Sequence, residues 1–248
     1  MKNKLLAKNI SKSFLNKDRT IRIINNLNFL AQSGGITTIL GPSGCGKTTL
    51  LKMVGDIIKP DEGAILFNNE DISLLRQEHK IGWIPQFPTL LKNRTVEQNI
   101  KLPLEIIGLK TSIKKVVNLV GLNGKENKYP SQLSGGMKQR VSLAQCLVYS
   151  PQLLLMDEPF SALDEITREE MQLEVLRLAN KFEPTIIFVT HNIEEAVFIS
   201  DRIILLSKKG SLVKNFKILR GGLTNTDFRS SMRFFYYTDK IRKIFKLL

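Results

Sequence analysis

The stretch Gly41-Pro42-Ser43-Gly44-Cys45-Gly46-Lys47-Thr48-Thr49 decides how the rest of this 248-residue chain is read. It follows Ile36-Thr37-Thr38-Ile39-Leu40, an apolar and β-branched run that reads as a buried strand. From Thr48 onward, Thr49-Leu50-Leu51-Lys52-Met53-Val54 reads as a helix. A glycine-rich turn between strand and helix is the context a phosphate-binding loop requires. Gly41 is expected to permit a sharp backbone turn. Gly44 and Gly46, having no Cβ, would let successive N–H groups approach phosphate oxygens, with Pro42, Ser43, Cys45 and Thr49 completing the cradle. Lys47 offers a point charge to β- and γ-phosphates, and the Thr48 hydroxyl a ligand for Mg²⁺. The helix that follows turns its positive end toward the anion. The stretch therefore predicts a nucleoside triphosphate site.

Triphosphate hydrolysis needs a metal-side carboxylate, a group to polarise water and positive charge on the leaving phosphate. Leu153-Leu154-Leu155-Met156 is fit for a central parallel strand and ends in Asp157-Glu158. Carboxylates at the C-terminal end of such a strand sit where doubly wound sheets place ligands. Asp157 is the candidate Mg²⁺ partner, through water, and Glu158 the candidate general base. A third apolar strand, Thr185-Ile186-Ile187-Phe188-Val189, ends in Thr190-His191. His191 leaves it at the edge that also holds Lys47 and Glu158, where neutral imidazole is placed to hydrogen-bond the γ-phosphate or the attacking water. The other histidine, His79, lies in the charged stretch Arg76-Gln77-Glu78-His79-Lys80 and reads as surface.

Leu133-Ser134-Gly135-Gly136-Met137 opens a further predicted helix, with Met137, Val141, Ala144 and Val148 at helical spacing. Ser134 suits an N-cap. Two glycines in a first turn cost about 1 kcal/mol each unless something must lie against the backbone. A γ-phosphate is the expected occupant.

With these motifs in order the chain resembles the nucleotide-binding subunit of an ATP-binding cassette (ABC) transporter, over about residues 4–220. The resemblance rests on the phosphate loop 41–49, Gln86, the signature Leu133–Met137, Asp157-Glu158, Ser161-Ala162-Leu163-Asp164 and His191. It implies an α/β P-loop NTPase fold. This would be a RecA-like parallel core of about residues 1–91 and 150–220 with an antiparallel β N-terminal part. A helical subdomain of about 92–149 and a basic tail of about 221–248 would complete a single domain. It also implies ATP and Mg²⁺ as cofactors, Gln86 touching Mg²⁺ or water, and two copies pairing head to tail. Each ATP would then lie between one phosphate loop and the partner's signature, Ser134, Gly135, Gly136 and Met137. Phe14 is the candidate for stacking on adenine, with an ordinary core position as the other reading; a polar segment longer than usual, Leu15 to Thr20, follows it and would shift that loop. Beside Gln86, the surface of Phe87, Pro88, Leu90 and Leu91 is expected to receive a short helix from a membrane subunit.

Composition fits that frame. Cys45 and Cys146 are the only cysteines, too few for a disulfide framework. No apolar run approaches ~18 residues and no N-terminal signal is visible, so no membrane span is expected. The expected location is peripheral, on the cytoplasmic face of the membrane, beside separate permease subunits and an extracytoplasmic substrate-binding protein. From Arg202 onward twelve Lys or Arg stand against two Asp or Glu, +10 of the total +14. This tail reads as a terminal amphipathic helix packed on the core, not as a membrane contact, and no nucleic-acid partner is expected.

Several stretches resemble the nitrate/sulfonate/taurine importer branch, which includes thiamine-precursor systems. They are Gly82-Trp83-Ile84-Pro85-Gln86, Ala162–Arg168, His191–Phe198 and Asp227-Phe228-Arg229. Pro85, Lys92-Asn93 and Gln145-Cys146 depart from its usual pattern. The implied function is an ATPase subunit powering import; the alternative is a regulatory or mechanotransmitting ATPase that moves no solute.

Overall fold

A computed structural model describes residues 4–16 and 19–248. β1 (Leu5–Asn16) and β2 (Arg19–Ala31) form a long antiparallel hairpin. β3 (Ile36–Leu40) leads through the glycine-rich loop into α1 (Lys47–Val54). β4 (Glu62–Phe67) pairs antiparallel with β1, and β5 (Glu70–Asp71) completes a four-stranded sheet in the order β2-β1-β4-β5. Next come α2 (Ile72–Gln77), β6 (Ile81–Ile84), α3 (Val96–Ile107), α4 (Lys114–Leu119) and α5 (Gly135–Leu147). The chain continues with β7 (Leu153–Asp157), α6 (Glu165–Phe182), β8 (Thr185–Thr190) and α7 (Ile193–Ile199). It ends with β9 (Arg202–Leu206), β10 (Leu212–Lys217), α8 (Asn225–Arg229) and α9 (Met232–Phe245). The second sheet has the order β10-β9-β3-β8-β7-β6 and is parallel except for the edge strand β10. The α/β class, with a parallel core and an antiparallel N-terminal sheet, is the one expected.

The central strands read as unbroken apolar runs because both faces are covered. Ile36, Leu40, Leu154, Met156, Ile186 and Phe188 share one hydrophobic cluster with residues of α3, α5, α6 and α7. Their alternates Ile39, Leu153, Leu155, Ile187 and Val189 share the other with α1 and the N-terminal sheet. The register then fixes the site. Leu40 lies opposite Thr190 and Asp157 opposite Val189, so β3, β7 and β8 end level with one another. Gly41, Glu158 and His191, each the next residue after its strand, leave from the same edge.

The helices between β6 and β7 contribute to the first cluster rather than forming a core of their own. Within α3, Pro103 cannot donate to the carbonyl of Asn99. Gln145 of α5 supplies the missing donor, its Nε2 lying 3.0 Å from that oxygen. Gln145 is one of the departures from the family pattern, and this is its structural use.

In the polar stretch Leu15 to Thr20, Leu15 pairs with Thr20 and Asn16 with Arg19. Its middle, Lys17 and Asp18, lies outside the described residues, as do residues 1–3. The C-terminal helix packs on the core, as expected. Phe234, Thr238 and Ile241 of α9 are buried, while Met232, Phe235 and Tyr236 are exposed.

Candidate functional site

Gly44 and Gly46 hold φ of 78° and 97°, a left-handed backbone that side chains rarely adopt. A Cβ on Gly46 would also meet Ile23 Cγ2 of β2 at 2.7 Å. Gly41 differs from its expected role: its φ is not left-handed, so no sharp turn demands it. Close packing does, since a Cβ there would lie 2.7 Å from Cys45 Sγ. The Cys45 thiol is buried beneath the loop, and burial pushes its pKa up, against the pull of Lys47. Only the backbone of Cys45 is left to meet a ligand. Lys47, also buried, donates through Nζ to the carbonyls of Gly41 and Pro42, at 3.0 Å each, with Glu158 Oε1 at 3.7 Å.

Thr48 and Asp157 meet across the loop: the Thr48 hydroxyl donates to Asp157 Oδ1 at 3.1 Å. Burial raises the Asp157 pKa, with Thr48 and Lys47 opposing and Glu158 adding to it. A carboxylate kept from water is charged at least cost beside a cation, and these hard oxygens suit Mg²⁺. Glu158 has φ of 45°, a strained conformation for a non-glycine residue. Its Oε2 lies 2.9 Å from His191 Nδ1. An ionised Glu158 only accepts, so Nδ1 carries the proton and a neutral ring keeps its Nε2 lone pair free. In that tautomer Nε2 can only accept, as from a water; donating to a phosphate oxygen would require the imidazolium.

Gln86 leaves the end of β6 exposed, and its Nε2 donates to Ser161 Oγ at 3.2 Å. That bond joins the segment after β6 to the segment after β7. Asp164 caps α6 by accepting from the Thr167 N–H at 3.0 Å, a bond that lowers its pKa. Arg168 holds the same turn, donating to the Phe160 and Leu163 carbonyls at 3.3 and 2.6 Å. Of the apolar residues after Gln86, Phe87 and Leu91 are exposed, whereas Leu90 packs against the core. Leu90 is half-buried and offers less surface to the expected docking site. Asn99 escaped the sequence reading: wholly buried in α3, it accepts from the Leu91 N–H and donates to the carbonyls of Leu91, Arg94 and Thr95. A polar residue among apolar helix positions was the only signal.

Ser134 caps α5, its hydroxyl accepting from the Met137 N–H at 3.3 Å. The two glycines divide. A Cβ on Gly136 would meet Thr167 Cγ2 of α6 at 2.4 Å, so packing within the chain requires that glycine. A Cβ on Gly135 would reach only Leu163 Cδ2, at 3.7 Å, an ordinary contact. Packing within the chain thus gives Gly136 a reason of its own, and gives none to Gly135. Among the described residues, no hydrogen bond or ion pair joins Ser134–Met137 to residues 41–49. Phe14 is exposed on β1, with Lys12 Nζ 5.7 Å from its ring centroid, so the core reading of Phe14 fails. His79 is exposed, as read.

A family model described as ABC transporter matches residues 24–161. An uncharacterized ABC transporter ATP-binding protein of Methanocaldococcus jannaschii is 38% identical over 251 residues, covering 99% of this chain and 92% of that protein. The aliphatic sulfonates import ATP-binding protein of Bacillus cereus is 38% identical over 239 residues, covering 96% and 94%. A sulfate/thiosulfate import ATP-binding protein of Pectobacterium atrosepticum is 39% identical over 211 residues, 81% of this chain and 63% of its own length. Among solved structures, a dimeric ATP-binding cassette in a post-hydrolysis state, bound to ADP and Pi, aligns with a TM-score of 0.76 and 30% identity. It covers 87% of this chain and 99% of that one.

Proposed function

The chain belongs to the ABC transporter family, and we propose that it energises import through separate permease subunits. The solute is a small anion such as nitrate, sulfonate or taurine, or else a thiamine precursor. ATP binding and hydrolysis come with the family. Import, rather than a role that moves no solute, is supported by relatives named for sulfonate and for sulfate/thiosulfate import. The observation that carries the catalytic reading is the meeting of Lys47, Thr48, Asp157, Glu158 and His191 at one sheet edge.

ATP lies with its phosphates along the N–H groups of residues 43–49, and its adenine on the exposed face of Phe14. Lys47 Nζ exchanges the Gly41 and Pro42 carbonyls for β- and γ-phosphate oxygens. Thr48 directly, Asp157 through water, and Gln86 would hold Mg²⁺, which would supply charge neutralisation at the phosphates. Glu158, fixed by His191, draws the proton from the attacking water. His191 Nε2 accepts from the same water.

The second wall of the site comes from another copy, whose Ser134, Gly135 and Gly136 approach the γ-phosphate. The exposed Gly135 backbone supports this. The permease, whose cassettes sit on the cytoplasmic face of the membrane, is read as meeting Phe87 and Leu91. Asn99 ties the Leu91–Thr95 loop to α3, and a cleft of about 290 Å³ lies against Leu102, Pro103 and Ile106 of that helix. Residues 92–149 act as the helical subdomain that carries the signature, and an extracytoplasmic binding protein delivers the solute. No helix among the described residues is long and apolar enough to cross a membrane.

Glu158→Gln tests the reading. Turnover is expected to fall about 10²–10⁴-fold while ATP binding persists and an ATP-dependent dimer accumulates. Wild-type hydrolysis would remove Glu158 from its role, and a variant that stays monomeric with ATP by light scattering would remove the shared site.

A further inference from the structure

His191 occupies the short turn between β8 and α7, and its neighbours are fixed from behind. Thr190 Oγ1 accepts from the Asn192 N–H at 3.0 Å, and the Asn192 side chain caps α7 by accepting from the Glu195 N–H at 3.1 Å. A glutamate at this third helical position commonly turns back to the N-cap N–H. Here Thr190 has already taken that N–H. The buried Glu195 carboxyl bonds instead to Thr190 and to Gln172 of α6, whose Nε2 donates to its Oε1 at 3.3 Å.

Gln172 is itself buried, and its partners allow the amide one orientation: NH₂ toward Glu195, carbonyl toward Arg229. Arg229, the last residue of α8, donates one guanidinium nitrogen to Gln172 and another to Glu169, both on α6. The same guanidinium lies 4.0 Å from the ring centroid of Phe198 on α7. One planar group thus joins α6 to α7. Farther along the tail, Arg242 adds a second tie, to Glu194 at 2.9 Å.

We propose that Arg229 is a positioning residue for ATP hydrolysis, holding the Thr190–Asn192 turn through Gln172 and Glu195 so that His191 stays on Glu158. Removing it leaves the Gln172 carbonyl unpaired in the interior and its amide free to rotate away from Glu195. The network already holds one buried atom without a partner, Arg229 Nε; a buried acceptor that also loses its donor is costly, and the network relaxes by moving. Burial raises the Glu195 pKa against the bonds from Thr190 and Gln172, so this carboxyl is sensitive to losing either donor. The tail, on this account, reaches the water-activating pair without touching substrate. The inference rests on the reading of His191 and Glu158 given above.

The chain has only two histidines, and exposed His79 serves as an internal reference. In full-length Arg229→Ala the imidazole NMR resonances of His191 are expected to shift while those of His79 stay put. Turnover falls about ten- to a hundredfold with the KM for ATP within about twofold. Adding Arg229→Ala to His191→Ala costs nothing further. Arg229→Lys, which keeps charge over Phe198 and loses the fork, falls between, and it carries the same readouts should the alanine variant fold poorly. Unmoved His191 resonances overturn the proposal, as does an equal loss of turnover with or without His191. Where His191→Ala leaves no turnover to measure, the resonances decide. A His191→Ala variant that hydrolyses ATP like wild type overturns instead the role assigned to His191.

Discussion

The loop at 41–49 and the turn at 134–136 are both glycine-rich, and both belong to the proposed ATP site, yet their glycines answer to different constraints. Gly44 and Gly46 are demanded by backbone conformation, Gly41 and Gly136 by close packing within the chain. Gly135 alone answers to neither. A glycine that the chain's own interior explains says nothing about a ligand. One that lies in a helix, open to solvent, costs stability for which the chain shows no return. On the proposed reading the phosphate loop is one half-site, and Gly135 is the signature glycine for which the chain itself shows no reason.

Gly135→Ala breaks or keeps that contrast most directly. Its Cβ meets only an ordinary contact, so thermal unfolding of the isolated chain should be unchanged or improved by up to ~1 kcal/mol. Turnover should nevertheless drop on the order of a hundredfold, because the added methyl holds a second copy off the γ-phosphate. Full ATPase activity in this variant would mean that nothing approaches that backbone.

Gly136→Ala should behave the opposite way. Its Cβ would press on Thr167 Cγ2, so a stability loss of about 1–3 kcal/mol is expected in the isolated chain. Adding Thr167→Ser, which removes that methyl and keeps the hydroxyl, should restore most of it. If the single variant melts with wild type, packing is not the reason for the second glycine.

The same contrast explains what was legible in the sequence. The phosphate loop, Asp157-Glu158 and His191 each follow a short apolar strand, and parallel register alone aligns such strand ends. Fold and half-site were therefore readable from local runs. The contacts that escaped link residues far apart in sequence. Gly136 meets Thr167, Pro103 needs Gln145, and Arg229 reaches Gln172 and thence Glu195. No periodicity encodes which partner a buried polar group will find. Leu90 shows the limit at the scale of one residue: it and Leu91 are alike in sequence, and only the packing of the loop half-buries one and exposes the other. Gly41 shows another, since turning and close approach both select glycine and only coordinates separate them.

On the phosphate-loop side, the requirement for a ligand is stored as charge rather than as open space, and Asp157→Asn should reveal it as a smaller effect. Burial sets the Asp157 pKa above its ordinary value. A carboxylate whose folded pKa is raised favours the fold in its protonated form; that advantage is lost as pH rises through the folded pKa, and the ionised group then weighs against the native state. The asparagine keeps an oxygen for the Thr48 hydroxyl and carries no charge. Without nucleotide, the variant should therefore melt above wild type at neutral pH. The gap should close as pH falls below about 4, where the carboxyl is protonated in folded and unfolded chains alike. Mg²⁺ with ATP should reverse the order, because binding stabilises only the chain that holds it. A gap that ignores pH would place its origin in packing. A variant less stable than wild type at neutral pH without nucleotide would show that Lys47 and Thr48 already compensate the charge, leaving the half-site no electrostatic debt for a cation to relieve.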